Sequence, residues 1–362
     1  MDASISLRKE WFSEKEQRLV TAGELAASLF CFESGVQAVR LSNALGELVL
    51  LPYQGQQIWS AEFHGRQLAM KSMFDQPYPT QDFLSNFGGF LVHCGALAMG
   101  SPSAEDSHSL HGELPNAPYQ KAQLLLGEDE KGAFIALTGE YRHTVAFNAS
   151  YTAQPCVKLY ANSAVFDVSM TVTNLKNSAM PLMYLAHVNY RPEVNARLAQ
   201  SVLPNPQAMR VRADVPAFMQ TPAGYREFLA ELKLHPEKHL MLTPDLKFDP
   251  EVVFYFNYLA DEQGWARTLQ IHADGSADVV RHKPAQLNRG VRWICRTADQ
   301  EALGFEPSTA EVEGFTAEEK KGNVRALGGG ESFFCELQVG LLLASEAAEE
   351  ERLIERSVSA AG

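Results

Sequence analysis

The feature that most constrains the fold of this chain is a strict two-residue alternation over 165–173. Phe166, Val168, Met170 and Val172 fall on one side, while Asp167, Ser169, Thr171 and Thr173 fall on the other. Only an extended strand places alternate side chains on opposite faces, so the segment predicts a strand with one face buried. Asn174-Leu175-Lys176-Asn177-Ser178 then reads as a turn. A second predicted strand, Met180 to Tyr190, is almost wholly apolar until it delivers His187 and Asn189 to one face, two residues apart. A polar pair at the end of an apolar strand marks a strand running into a site.

The same signal recurs elsewhere. Residues 37–41, 47–52, 57–63 and 67–70 read as short strands, with turns at Asn43-Ala44-Leu45-Gly46 and His64-Gly65-Arg66. Phe333, Cys335, Leu337 and Val339 alternate with Phe334, Glu336 and Gln338 behind the Gly328-Gly329-Gly330 turn. Helical periodicity is confined to 225–234 and 344–357. The second helix has Glu346, Glu349, Glu350 and Glu351 early and Arg352 and Arg356 late, which suits the helix dipole. Many short strands with frequent turns predict an all-β fold, a large antiparallel sandwich with few short helices. The Pro-rich stretch 203–222 reads as a long loop rather than a boundary. A single domain over 1–362 is expected, with 1–35 as an N-terminal extension and 345–362 as a C-terminal helical tail.

The 362 residues carry a net charge of −13. An acidic surface repels both nucleic-acid backbones and anionic membranes, so neither is expected as a partner. Asp2, Arg8, Lys9 and Glu10 interrupt the N-terminus where a secretory signal needs an apolar run, and no apolar stretch approaches spanning length. The five cysteines are scattered without metal-binding spacing, which fits buried free thiols in a reducing cytoplasm. His235 and His239 are four apart, but Pro236 between them spoils a helical metal site. No metal is expected.

Three groups are suited to moving protons. His111 stands among small and turn-forming residues in Ser109-Leu110-His111-Gly112, as a donor to a ligand oxygen or as an ordinary loop histidine. His187 titrates near neutrality when unperturbed, so it reads as an acid or base, or as a core histidine bonded to a backbone carbonyl. Glu306 lies between Leu303-Gly304-Phe305 and Pro307. An apolar setting raises a carboxyl pKa toward the range useful at neutral pH, whereas Glu311 and Glu313 read as solvated loop residues.

These segments resemble the galactose mutarotase-like group, the aldose 1-epimerases, and especially a divergent bacterial branch of it. The resemblance runs roughly from Val36 to Leu342. Its carriers are Leu41-Ser42-Asn43-Ala44-Leu45-Gly46 through Leu51-Pro52-Tyr53-Gln54-Gly55-Gln56-Gln57-Ile58, Gly88-Gly89-Phe90 with His93-Cys94-Gly95-Ala96-Leu97, Leu110-His111-Gly112, Pro181 through Tyr190, and Arg292-Trp293 followed by Gly304-Phe305-Glu306-Pro307. The resemblance implies a β-supersandwich with a carbohydrate cleft on its concave face, an isomerase activity and no cofactor. It gives His187 as the acid that protonates the ring oxygen, Glu306 as the base at the C1 hydroxyl, and His111 as a binding group near the ring oxygen. Asp261, Lys283, Gln286 and Arg292 are the further substrate-binding positions it suggests, with Trp293 as a sugar-stacking or core residue. The better-known members carry an arginine soon after the His-Gly pair and an earlier Asn-Arg pair. Here Glu113 and Leu114 follow Gly112, so substrate contacts are expected to differ.

The leading expectation is therefore an aldose 1-epimerase-like enzyme that interconverts sugar anomers by ring opening and closure. A carbohydrate-binding protein without turnover is a second class. A third is an isomerase or lyase of acidic sugars, which needs cationic side chains converging near Glu306. The partner in each case is a small-molecule sugar or sugar derivative.

Overall fold

The computed structural model of the protein describes residues 3–213, 215–216 and 219–362. Two antiparallel sheets face each other. In chain segments, the first runs 3–6, 121–129, 132–145, 149–160, 165–174, 332–342, 277–282, 266–271 and 197–200 across nine strands. The second is larger, with 209–211, 252–256, 289–296, 301–308, 180–190, 91–96, 58–63, 46–50, 37–42, 25–31 and 17–22 in order along its path.

The alternation over 165–173 appears as the Val165–Asn174 strand, whose Phe166, Val168, Met170 and Val172 are all fully buried. They meet the inward face of the second sheet, where Tyr184, Ala186, Val188, Tyr190, Leu303 and Phe305 share one core cluster with them. Phe166 stacks on Phe63 at 6.1 Å, and the buried Tyr190 hydroxyl lies 2.8 Å from the Val279 carbonyl of the opposite sheet. Burial on this scale is the main source of stability in such a sandwich.

The Met180–Tyr190 strand is apolar at nearly every position because both its faces are covered. Its inward residues fill the sandwich. Its outward residues, Met183, Leu185 and His187, lie under a cap of loops whose apolar members include Met70, Phe83 and Met99. That second, outer layer positions the site. Residues 67–70 differ from expectation. Only Arg66–Gln67 pairs as a strand with its hairpin neighbour, after which Ala69 bridges to Tyr190 and Lys71 to Glu301. The chain there crosses the sheet to close one side of the cap.

Residues 3–31 contribute three strands to the two sheets. The last helix, Ala344–Ala361, extends four residues beyond expectation and buries Ala347 and Ile354 against Leu269, Val279 and Leu342. None of the described helices is long and apolar enough to cross a membrane.

Candidate active site

Strand register brings the three proton-handling groups to one place. The Met180–Tyr190 strand lies between Leu91–Ala96 and Glu301–Ser308, with Val188 opposite Phe305 and Asn189 opposite Gly304. Val188 and Phe305 face inward, so His187, Asn189, Gly304 and Glu306 all face outward. A Cβ on Gly304 would stand 2.1 Å from Glu306 Oε1 and 3.0 Å from Trp293 Cβ. The missing side chain is what lets the carboxyl lean toward His187.

His187 Nδ1 and Glu306 Oε1 are 3.2 Å apart, and both residues are almost wholly buried. His187 Nδ1 is also 2.6 Å from Asn189 Oδ1, and the Asn189 amide donates to the Gly89 carbonyl at 3.0 Å. Burial holds the His187 imidazole down at about 4, only partly opposed by its bond to Asn189. Burial pushes the Glu306 carboxyl well above the ordinary carboxylate range. The nearby Glu251 adds to the rise and Arg292 opposes it. Glu306 Oε1 and His111 Nδ1 are buried and have no hydrogen-bond partner. Orphaned buried polar atoms of this kind are costly unless a ligand or solvent meets them.

His111 arrives from a loop wound on itself. Its backbone takes the left-handed conformation at φ 60°, donates to Gly100 O at 3.0 Å and accepts from Gly95 N at 3.0 Å. Gly112, at φ +82°, must be glycine, since a Cβ would meet the Ala98 and Gly95 carbonyls at 2.2 and 2.6 Å. The result is an imidazole whose ring centre is 5.4 Å from that of His187 and 4.8 Å from Phe83. Burial depresses its pKa well below the usual histidine value, and His187, Arg212 and His108 add to the effect.

His111, His187 and Glu306 line one hollow. Phe83, Phe87 and Trp293 form its apolar walls, with Phe87 and Trp293 5.2 and 5.6 Å from the His187 ring. Trp293 thus faces the hollow, and its indole N–H donates to Glu251 Oε2 at 2.7 Å. Glu251 and Arg212 also line it, and neither is singled out by sequence. Arg212 Nη1 lies 3.5 Å from Glu251 Oε1, and its Nε donates to Glu313 Oε1 at 3.1 Å. A carboxylate directly in front of the unbroken apolar run Val252–Phe256 was the available signal for Glu251. Arg212 sits in the Pro-rich loop and carried none.

The other substrate-binding positions stand outside this hollow. Asp261 organises a turn: Oδ1 accepts from the Gln263 and Trp265 amides at 2.9 Å, and Oδ2 accepts from Arg267 at 2.6 Å. Its neighbourhood is a groove beside the C-terminal helix. Lys283 pairs with Glu336 at 2.6 Å, and Gln286 accepts from the Glu336 amide at 3.0 Å. Arg292 follows the alternation to the inside. Val291 and Trp293 take the outward face, so the Arg292 guanidinium is fully buried between the sheets, 4.6 Å over Phe305 and 5.2 Å over Phe256.

Glu113, which follows the His-Gly pair, is turned away from the hollow. It accepts from the Ala96 and Leu97 amides at 3.1 Å and from the Tyr151 hydroxyl at 2.6 Å, clamping the loop that presents His111. Glu311 is not solvated as expected, whereas Glu313 is only half-buried. Glu311 is buried and pairs with Lys321 at 2.8 Å and with Arg210, while Glu313 holds Arg212. His239 is buried against Phe254 at 4.1 Å, and His235 is on the surface beside Glu237.

The solved structures that this chain resembles share its architecture. A candidate aldose 1-epimerase from Klebsiella pneumoniae subsp. pneumoniae superposes with a TM-score of 0.84 at 17% identity, covering 99% of this chain and 96% of its own. A galactose mutarotase-like protein from Clostridium acetobutylicum follows at 0.58 and 13%, with 88% and 99% covered. A galactose 1-epimerase from Lactobacillus acidophilus gives 0.51 and 12%, with 90% and 98% covered. The fold is therefore galactose mutarotase-like. No curated protein matches the sequence. The profile of a domain of unknown function, DUF4432, matches residues 33–341, and the chain, folded as a galactose mutarotase-like sandwich, belongs to that family.

Proposed function

We propose that this protein is an aldose 1-epimerase-like isomerase that opens and recloses the ring of a neutral sugar. The observation that carries the reading is the contact between His187 and Glu306. Anomer exchange moves two protons, one at the C1 hydroxyl and one at the ring oxygen. Both oxygens are bonded to C1, so an acid and a base that lie close together can reach both. An imidazole and a carboxyl 3.2 Å apart at one end of a hollow meet that demand. His111, with a free buried nitrogen, supplies a third polar contact. Phe83, Phe87 and Trp293 offer flat apolar surface to the C–H faces of a pyranose.

The charge around the hollow favours a neutral sugar over an acidic one. Among the described residues, Arg212 is the only Lys or Arg lining it, and that guanidinium already faces Glu251 and Glu313. A substrate carboxylate or phosphate would meet two carboxyl groups and no unpaired cation. Neutral aldoses are therefore expected to be turned over in preference to uronic acids and sugar phosphates.

The test is proton exchange spectroscopy or polarimetry on freshly dissolved sugars, with and without the protein. At least one neutral aldose is expected to equilibrate faster. His187→Ala should lower that acceleration by about 10²–10⁴-fold. Binding of a sugar without any change in its exchange rate would instead mark a carbohydrate-binding protein.

Gly304→Ala offers a check that touches neither reacting group. The added methyl must displace the Glu306 carboxyl from its place 2.1 Å away. Misplacing a catalytic group by about 1 Å costs on the order of 10²-fold, so kcat should fall by about that factor while the protein still folds. Unchanged turnover in a folded Gly304→Ala protein would contradict the role given to Glu306.

A further inference from the structure

We infer that Asn189 is a positioning residue that fixes His187 as the tautomer with hydrogen on Nδ1, leaving Nε2 as the nitrogen through which His187 exchanges a proton with its ligand. The argument follows from which atoms can donate. The Gly89 carbonyl can only accept, so the Asn189 atom 3.0 Å from it must be the amide nitrogen. The atom that Asn189 turns toward His187 is then its oxygen, which can also only accept. At 2.6 Å from that oxygen, His187 Nδ1 must carry the hydrogen. A neutral imidazole has one N–H, so Nε2 is left with its lone pair.

Asn189 has no freedom to turn over. It is fully buried, its backbone N–H donates to Phe90 O at 2.7 Å, and its carbonyl accepts from Met70 N at 3.0 Å. Gly89, its side-chain partner, is itself held close, since a Cβ there would come 3.2 Å from both Gln57 Oε1 and Ile58 O. The second neighbour of Nδ1, Glu306 Oε1 at 3.2 Å, makes no hydrogen bond of its own.

For the reaction proposed above, on which this part of the inference rests, the tautomer sets which nitrogen works. Nδ1 stays bound to Asn189, so His187 exchanges its proton with the sugar through Nε2, while Glu306 serves the other oxygen on C1.

The experiment is nitrogen NMR of full-length protein with labelled histidine at pH 7, with the His187 signals assigned by their loss in His187→Gln. The two-bond couplings distinguish the tautomers without any substrate. The expected result is a neutral ring with hydrogen on Nδ1. Asn189→Leu should then give a mixture of tautomers and lower kcat by about 10–100-fold. Hydrogen on Nε2 in the unaltered protein, or the same single tautomer in a folded Asn189→Leu protein, would overturn the inference. An Nδ1–H tautomer in a protein that accelerates no sugar upholds the tautomer assignment and counts against the proposed function alone.

Discussion

Glu306→Gln should abolish most of the anomer exchange and, at the same time, make the protein more resistant to heat, increasingly so as the pH rises. The first effect follows from losing one of two proton-transfer groups, a loss of about 10²–10⁴-fold. The second follows from linkage. Burial holds the Glu306 carboxyl above its unfolded value, so its contribution to stability is fully present below the unfolded pKa. That contribution is lost as pH climbs toward the folded pKa, where the unfolded chain releases a proton that the folded one keeps. Glutamine has no proton to release. The gain in Tm should therefore be small near pH 5 and largest near pH 8. Thermal unfolding of the two proteins at several pH values checks this. A Tm difference that does not change with pH would mean that burial does not raise the Glu306 carboxyl.

How much of this site was legible in the sequence depends on which physical rule each residue obeys. His187 and Asn189 were visible because a strand's two-residue period puts them on one face of an otherwise apolar run. Glu306 was visible for a related reason, as a carboxyl in apolar company. The two-sided burial of the Met180–Tyr190 strand also showed in its composition, although nothing local says what the outer face is buried under. Arg292 is where local reading fails. It sits one residue from Trp293, yet in a strand that single step reverses the direction of the side chain. Facing follows from register with the Glu306 strand, where Val291 lies opposite Glu306, and register is a relation between segments.

Asp261 and Lys283 stand outside the hollow for another reason. Each has its own short-range partner, Arg267 six residues away for one and Glu336 across the sheet for the other. Position along the chain gave no reason to choose between such a pairing and a cleft. Glu251 and Arg212 were missed because their meaning lies in a three-way contact with Trp293 and Glu313, assembled from four distant stretches of chain.

Acid should unfold this protein at a higher pH than its carboxylates alone would require. His93, His239 and His282 are held at about 3 and His187 at about 4, in each case chiefly by burial. For a histidine whose folded pKa is depressed below about 6.5, the unfolded chain binds the proton first, so stability falls as pH drops through that value. Between pH 6.5 and 5 each of the four costs about 2 kcal/mol, at 1.36 kcal/mol per unit of pH. Together that is comparable with the ~5–15 kcal/mol that holds a typical domain folded. Glu251, Glu306 and Asp278 work the other way, because burial raises each of them and lowering the pH relieves their cost. Below pH 6.5 stability should therefore fall by less than the four imidazoles alone would cost, a limb that Tm measured from pH 8 to 4.5 would trace. His282 isolates the cause, since neither of its ring nitrogens has a partner and the ring packs edge-on to Tyr258 at 4.7 Å. His282→Phe removes one titrating group and no hydrogen bond, so it should flatten the acid limb by the equivalent of one proton. An acid limb identical in His282→Phe would show that carboxylates, not the buried imidazoles, set the fall.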